Sequence, residues 1–199
     1  MSFFDANNMK DRKIIITEDG SSSIYIPELN EGYHSSHGAV NESNHIFIEH
    51  GLSQIESEEI TIFEMGFGTG LNALLSLNHA LEKNKKIFYS GIEAFPVELS
   101  FIKEIDYAQY VSDLEARIFE QMHTSEWNSQ LIFNENFIFE KIHQKIQDYL
   151  PIEKSKDIIF FDAFGPRAQS KMWDIKILEK MYGILVNGGL LVTYCAKGQ

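Results

Sequence analysis

Cysteine is nearly absent from this sequence, which contains only Cys195. One thiol excludes a disulfide framework within the chain and is typical of a reducing compartment, so we predict a cytoplasmic location. Cys195 lies in an apolar run, and we interpret it as a small core residue rather than as a nucleophile.

Positive charge is also scarce. The chain has 17 lysines and arginines against 29 acidic residues, a formal net charge of −12. Proteins that bind nucleic acids neutralise phosphates with clustered basic residues, so this balance argues against strong binding of nucleic acid and leaves a small-molecule substrate open. Lysines do cluster locally in two groups: Lys83, Lys85 and Lys86, and Lys171, Lys176 and Lys180.

Several common signals are missing. No apolar run approaches the roughly 20 residues of a membrane span, so we predict no membrane association. The first five residues, Met1–Asp5, lack a charged segment followed by an apolar one, so we expect no signal peptide. The motifs G-x-S-x-G and H-E-x-x-H are absent, which leaves a hydrolase interpretation without its residues.

The first quarter of the chain predicts an extension. Residues 13–17 and 23–27 alternate on either side of an Asp-Gly turn, which predicts a β-hairpin. We predict a helix over His37–His50, capped by Ser36 and ended by Gly51. Residues 1–52 therefore form a predicted hairpin-and-helix extension, and residues 53–199 a predicted core.

Strands and helices alternate from Ile60 onward. This order predicts an α/β fold, a Rossmann-like parallel sheet with helices on both faces. The predicted strands are Ile60–Glu64, Lys86–Glu93, Phe137–Ile142, Asp157–Asp162 and Gly189–Tyr194. The predicted helices are Leu71–Lys83, Pro96–Glu104, Val111–Met122, Gln144–Leu150 and Trp173–Leu185. Because a last strand at the end of the chain would leave a bare sheet edge, we expect C-terminal strands to be missing here.

The most informative motif is Glu64–Asn72, which joins a predicted strand to a predicted helix. Its glycines are spaced G-x-G-x-G, whereas a dinucleotide fingerprint needs its third glycine at Leu71. The carboxylate before the glycines favours a cationic ligand, so S-adenosylmethionine suits the motif better than NAD does. An NAD-type oxidoreductase and a merely tight turn remain alternatives. The candidate cofactor-binding residues here are Glu64, Gly66, Phe67, Gly68, Thr69, Gly70 and Asn72.

Two further strand ends carry carboxylates. Glu93 follows Gly70 by 23 residues, close to the spacing of an acidic residue that binds ribose hydroxyls. Asp162 follows two phenylalanines and is a candidate both for cofactor binding and for orienting an amine nucleophile. Phe164 and Pro166 are the other candidate catalytic residues, because transfer to nitrogen depends mainly on positioning and desolvation. A turn or capping role for Asp162 is the structural alternative.

The histidines of the sequence do not indicate a metal site. His34 and His37 have ligand-like spacing, but no third and fourth ligand follow at suitable distances, so we predict no metal site. Tyr33, His34 and His37 are interpreted instead as a rim beside the cofactor or the substrate.

Five segments together resemble the methyltransferase domain family of the bifunctional tRNA 5-methylaminomethyl-2-thiouridine biosynthesis protein, in its stand-alone form. They are Tyr33–Ala39, the cofactor motif Glu64–Asn72, Glu93–Pro96, Asp162–Trp173 and Gly188–Tyr194.

This resemblance implies a class I methyltransferase fold, S-adenosylmethionine as the methyl donor, and a tRNA substrate. The implied reaction converts 5-aminomethyl-2-thiouridine at the wobble position to 5-methylaminomethyl-2-thiouridine. A separate FAD-dependent oxidase would act in the same pathway. The family often has Gly-Asp after the third strand of the alternating region, where the aspartate contacts the adenine end of the cofactor. The corresponding stretch here is Ile142–Lys145, so that contact is missing or replaced. Methylation of a small-molecule amine, or a domain that binds the cofactor without catalysis, remains an alternative.

Overall fold

A computed structural model of the protein describes residues 11–105 and 107–195. The predictions made for Met1–Asp5, and the first ten residues of the predicted extension, lie outside the described residues. No helix in the described part of the chain is both long enough and apolar enough to cross a membrane.

The predicted hairpin is present. Strand β1 (Lys13–Ile16) pairs antiparallel with β2 (Ser22–Ile26), and β3 (Glu31–Gly32) adds a short third strand beside β2. The turn is closed by Asp19, whose Oδ1 accepts a hydrogen bond from the backbone N–H of Ser21 at 2.9 Å. Such bonds from aspartate to nearby backbone groups are typical of tight turns.

The helix predicted after the hairpin has an unexpected second half. Helix α1 (Ala39–Ser43) continues as a π-helical turn, Asn44–Glu49. The N–H of His50 donates to the carbonyl of His45 at 3.1 Å, which is the five-residue spacing of a π-helix. The predicted cap by Ser36 is wrong, because the helix begins at Ala39 and a glycine occupies its N-cap position.

The core is a six-stranded sheet in the order β6-β7-β5-β4-β8-β9. All of its strands run parallel except β6, which is antiparallel to β7 at one edge and was not predicted. The chain fills the sheet in opposite directions from β4, so ligands are expected beyond the carboxyl ends of β4 and its neighbours. The strands are β4 (Glu59–Met65), β5 (Lys86–Glu93), β6 (Gln130–Ile132), β7 (Phe137–His143), β8 (Lys156–Phe161) and β9 (Leu185–Val192).

Helices cover both faces of this sheet, as predicted. Neighbouring residues of a strand point to opposite faces. On β4, Ile62 joins the core cluster that contains Leu74, whereas Phe63 joins the cluster that contains Met181. The α-helices of the core are α2 (Leu71–Lys83), α3 (Leu99–Glu104), α4 (Asp113–Thr124) and α5 (Ile175–Ile184).

The helix predicted over Gln144–Leu150 is wrong. The structure has a single turn there, in which the N–H of Tyr149 donates to the carbonyl of Lys145 at 3.1 Å. Lys180 on α5 donates from its Nζ to three carbonyl oxygens of this loop at 2.7, 2.9 and 2.8 Å. Seven residues before a proline are too few to pay for helix nucleation, so the carbonyls bind the lysine instead.

The boundaries around the last strand are also wrong. The structure ends the predicted helix Trp173–Leu185 at Ile184 and places Trp173 in a separate 3₁₀ turn. Strand β9 begins at Leu185 and runs through the predicted turn, Asn187–Gly189. Two residue steps on β8 oppose five on β9 there, and Gly188 has a φ of +83°. A bulge with glycine in this conformation lets the strand continue through a turn-like sequence.

Candidate active site

A cavity of about 620 Å³ opens at the carboxyl edge of the sheet, beyond β4, β5 and β8. It is large enough for a nucleoside-type ligand, since ligand pockets commonly have volumes of about 300–1,000 Å³. Of the predicted site residues, Gly70 and Pro166 do not line this cavity within the described part of the chain. Those that do are Glu64, Gly66, Phe67, Gly68, Thr69, Asn72, Glu93, Asp162 and Phe164.

The glycine turn is built by close backbone approach. Gly66 has a φ of +96°, and a Cβ there would lie inside contact distance of the carbonyl oxygen of Asp162. Gly70 has a φ of +75°, and a Cβ there would lie 2.8 Å from Nε2 of His123. Gly70 thus starts α2 beneath the cavity, while Gly66 brings the β4 and β8 loops together beside it.

Glu93 fastens this turn to the next loop. Its Oε2 accepts a hydrogen bond from the N–H of Gly68 at 3.1 Å, and its Oε1 accepts one from the N–H of Phe95 at 2.8 Å. A carboxylate has about four acceptor positions, so the side chain retains capacity for a diol. Glu93 therefore shapes the loop in addition to any contact with a ligand.

Replacing Glu93 with alanine is expected to weaken binding of S-adenosylmethionine by roughly 1–3 kcal/mol, the cost of losing hydrogen bonds to a charged group. Titration calorimetry of the variant against the unaltered protein measures this change. Glu104→Ala, which removes an exposed carboxylate at the end of α3, is the control. Equal affinities for Glu93→Ala and Glu104→Ala would remove Glu93 from the site.

Two carboxyl groups share one amide at the floor of the cavity. Nδ2 of Asn72 donates to Oε1 of Glu64 and to Oδ2 of Asp162, both at 2.9 Å. Glu64 is buried, and its Oε2 makes no hydrogen bond of good geometry within the described residues. The hydroxyl of Tyr89 nevertheless lies close enough to lower the pKa of Glu64 in part. An acidic floor of this kind suits a cationic ligand.

Burial decides the protonation of these groups. It raises the pKa of Asp162 to about 7, against the smaller lowering by the bond from Asn72. Burial, followed by the neighbouring charge of Asp162, raises the pKa of Glu64 well above its usual range. Two carboxyl groups this close together are costly to ionise at once, so proton uptake and release at this floor accompany any change of charge in the cavity.

The N-terminal extension supplies one wall. The ring of Tyr33 meets that of Phe164 edge-on, with centroids 5.2 Å apart, and both line the cavity. His34 also lines it, with Nδ1 3.0 Å from the hydroxyl of Ser23, and burial lowers its pKa to about 4. His34 is therefore uncharged at neutral pH. Of the predicted rim, only His37 lies outside the cavity lining.

Each of the chain's two tryptophans touches a residue of the cavity wall. Trp173 donates from Nε1 to the carbonyl oxygen of Phe164 at 2.9 Å, which holds the loop after β8. Trp127 meets Phe67 edge-on at 6.3 Å between ring centroids. On the same side, Nζ of Lys141 lies 4.7 Å from the centroid of the Trp127 ring.

Sequence reasoning placed none of its candidate site residues in the loop after β7 or in the segment after the last strand. Gln144–Asp148 and Tyr194 line the cavity. Both follow parallel strands, so the rule that ligands bind at carboxyl ends would have found them. For the loop, the incorrect helix prediction concealed this signal.

Residues 100–199, half of the chain, match the family described as S-adenosyl-L-methionine-dependent methyltransferase. The chain belongs to this family. The matched half contains β7, β8 and Asp162, and membership sets S-adenosylmethionine as the cofactor in place of NAD. The acidic floor, the glycine turn and the carboxylate of Glu93 fit that cofactor, which carries an ammonium, a sulfonium and a ribose diol.

The methyltransferase is similar to longer proteins. It is 27% identical over 180 residues to the tRNA 5-methylaminomethyl-2-thiouridine biosynthesis bifunctional protein MnmC of Campylobacter jejuni subsp. doylei, covering 85% of this chain and 28% of that protein. Over 183 residues it is 24% identical to the protein of the same name from Idiomarina loihiensis, covering 83% of this chain and 30% of that protein. The chain thus spans less than a third of the length of these relatives.

A solved structure has the same fold. The crystal structure of MNMC2 from Aquifex aeolicus superimposes with a TM-score of 0.71 at 23% identity, covering 93% of this chain and 60% of that one. This agreement confirms the predicted α/β fold, a Rossmann-like parallel sheet with helices on both faces.

Proposed function

We propose that this methyltransferase methylates the aminomethyl group of a modified wobble uridine in tRNA, giving 5-methylaminomethyl-2-thiouridine. The observation that carries the proposal is the position of Asp162, a carboxylate of raised pKa on the cavity floor next to the cofactor motif. The names of the relatives supply the substrate, and a tRNA substrate agrees with the predicted cytoplasmic location.

The residues of the cavity suit transfer to an amine. Bound S-adenosylmethionine supplies an electrophilic methyl group. The acceptor nitrogen needs a free lone pair, so a proton has to leave it, and in this proposal a carboxylate oxygen of Asp162 takes that proton. The amide of Asn72 orients the carboxylate, and the rings of Tyr33 and Phe164 exclude water from the acceptor.

A cationic rim supports a polyanionic substrate. It consists of Lys145, Arg167 and Lys171, all exposed and all at the cavity. In the described part of the chain none of the three forms an ion pair; the pairs found there are His37–Glu18, His45–Glu49 and Lys86–Glu59. In nucleic-acid complexes, basic side chains contact the phosphates while a neighbouring site binds the base. Unpaired cations beside an acidic cavity fit that pattern.

The rim is held in place by the elements behind it. Nζ of Lys180 binds three carbonyls of the loop that carries Lys145, and Trp173 holds the loop that carries Arg167 and Lys171. The two loops also meet, since Nε2 of Gln147 lies 3.5 Å from the sulfur of Met172. The three cations therefore form one surface rather than three independent contacts.

Replacing the rim residues together with glutamine, as Lys145→Gln, Arg167→Gln and Lys171→Gln, is expected to weaken tRNA binding strongly. Each lost phosphate contact lowers the slope of log K against log salt by about 1, so the slope falls by roughly 2–3. Binding measured by fluorescence anisotropy at several salt concentrations checks this.

The matched control is a triple variant that removes the same charge elsewhere, Lys83→Gln, Lys86→Gln and Lys154→Gln. These three lysines lie at the opposite end of the sheet, where the strands begin. An equal loss of tRNA affinity in both triple variants would mean that the effect is one of net charge alone, and would contradict the rim.

Methylation of a small-molecule amine is the second candidate, and the net charge of −12 favours it. The acidic cavity floor attracts a free ammonium compound as well as an aminomethyl nucleobase. Methyl transfer to the free nucleoside, equally fast in the unaltered protein and in the rim variant, would favour this candidate. Strong preference for whole tRNA, lost in the rim variant, would favour the first.

The division into an extension of residues 1–52 and a core of residues 53–199 stays a prediction. Tyr33 and His34 line the cavity, so we propose that the extension is part of the catalytic unit. The FAD-dependent oxidase implied by the resemblance also stays a prediction, as the activity that makes the amine.

A further inference from the structure

The π-helical turn and the residue that caps its C-terminal end carry three exposed side chains with metal-binding atoms: His45, Glu49 and His50. We infer that this trio binds one divalent transition-metal ion, of the class to which zinc, nickel and copper belong. None of the three residues lines the cavity described above, and the site is independent of the proposed methyl transfer.

The backbone brings the two imidazoles together. In an α-helix each residue advances the direction by about 100°, so residues five apart point to different sides. Here the N–H of His50 donates to the carbonyl of His45 at 3.1 Å, and the wider π turn stacks the two residues. Their ring centroids are 4.4 Å apart with the ring planes at 88°.

The donor atoms already have spacings close to those around an ion. Nδ1 of His45 lies 3.2 Å from Oε2 of Glu49, and the ligand atoms of all three residues lie within 4.8 Å of one another. Zinc bonds of about 2.0–2.2 Å in a tetrahedron place neighbouring donors roughly 3.3 Å apart. A rotation of the exposed His50 side chain closes the remaining gap.

Two imidazoles and one carboxylate form a donor set that suits zinc, copper or nickel rather than magnesium or calcium. Three protein ligands leave a fourth position for water. The turn is already ordered, because Phe47 and Ile48 are buried beneath it and Nε2 of Gln54 donates to the carbonyl of Glu49 at 2.8 Å. Binding therefore has to order only the three side chains.

A bound ion is expected to stabilise the fold. The ring of Phe47, from the same turn, packs 5.1 Å from that of Phe160 on β8. An ion across the outer side of the turn holds its two ends together and keeps Phe47 in place. The expected readout is therefore a rise in melting temperature with metal.

The chain offers a matched control. His37 and Glu18 form another exposed histidine–carboxylate pair, with Nδ1 and Oε2 3.0 Å apart. The pair resembles His45 and Glu49 in distance and exposure, and within the described residues it belongs to no group of three such ligands. It separates a built site from the general affinity of surface histidines for metal.

The test is calorimetric titration of the chelator-treated full chain with zinc and with nickel ions, followed by melting curves. We expect one equivalent to bind, affinity to fall by about tenfold or more in His45→Ala and in His50→Ala, and His37→Ala to bind as the unaltered protein does. The metal-dependent rise in melting temperature disappears in the first two variants only.

Three results would overturn the inference. They are no binding by the unaltered chain, the same affinity in His45→Ala and His50→Ala, or an equal loss in His37→Ala. Melting curves without metal show that each variant is folded, and all the substituted side chains are exposed. These titrations and melting curves do not depend on methyl transfer. A negative result for metal binding therefore leaves the proposed function untouched, and the reverse also holds.

Discussion

Asp162→Asn lowers the rate of methyl transfer by about 10²- to 10⁴-fold, the contribution typical of a positioned general base. Asparagine keeps the shape and can still meet Asn72, so cofactor binding changes far less than turnover does. Single-turnover rates with saturating cofactor, together with calorimetric affinities, separate the two effects. If both fall by the same factor, Asp162 is a cofactor-binding residue instead.

The same residue sets a pH dependence. Burial raises the pKa of Asp162 to about 7, so below that pH the group is mainly a carboxylic acid and accepts no proton. The rate of the unaltered enzyme is therefore expected to rise with pH and to level off above about 7. Glu64 and Glu93 also face the cavity. The rise of the rate with pH is therefore assigned to Asp162 only if Asp162→Asn abolishes that rise.

Stability changes in the opposite direction. The pKa of Asp162 is raised from 3.8 to about 7 in the folded protein, so the folded state binds this proton more tightly than the unfolded state does. The proton on Asp162 therefore contributes to the free energy of unfolding. This contribution is fully present below pH 3.8 and is lost as the pH rises to about 7. Asp162→Asn is expected to melt above the unaltered protein at pH 8, with the difference vanishing at low pH.

Gly66→Ala is expected to weaken cofactor binding by about 100-fold. A non-glycine residue in this conformation costs roughly 1–3 kcal/mol, so the free protein relaxes out of it. Cofactor binding then has to restore the strained turn, and the upper end of that range is about 100-fold in affinity. The added Cβ also meets the carbonyl of Asp162, so the β8 loop has to move away from the turn. Calorimetry with S-adenosylhomocysteine measures the loss.

Gly183→Ala is the matched control. Gly183 lies in α5, its Cβ would meet nothing within 4 Å, and alanine favours a helix. This variant is expected to bind the cofactor normally and to melt slightly higher. Normal binding by Gly66→Ala would show that the turn adapts and that its glycines do not form the cofactor site.

The elements with strong local signals were predictable. Helix α2 and strand β5 have the predicted bounds. A glycine turn precedes α2, and a mainly apolar run marks β5. The π turn at Asn44–Glu49 was not, because no side-chain pattern distinguishes it from an α-helix. The loop Gln144–Leu150 was also missed, because its carbonyls are bound by Lys180, which lies 30 or more residues further along the chain.

The floor of the site followed from the sequence, and its walls did not. Glu64, Glu93 and Asp162 end parallel strands, so topology alone gathers them. Tyr33 reaches the cavity only because the extension packs across the carboxyl edge, and Lys145 only because its loop is not helical. Such contacts depend on tertiary packing between distant segments, which no local pattern encodes.

The placement of the two tryptophans gives the enzyme a built-in optical reporter. Trp127 touches Phe67 on one side of the cavity, and Trp173 holds the carbonyl of Phe164 on the other. Indole emission responds to the polarity and to the quenching groups around each ring. Single-tryptophan variants therefore let fluorescence follow occupation of the two sides of the pocket separately, without a label.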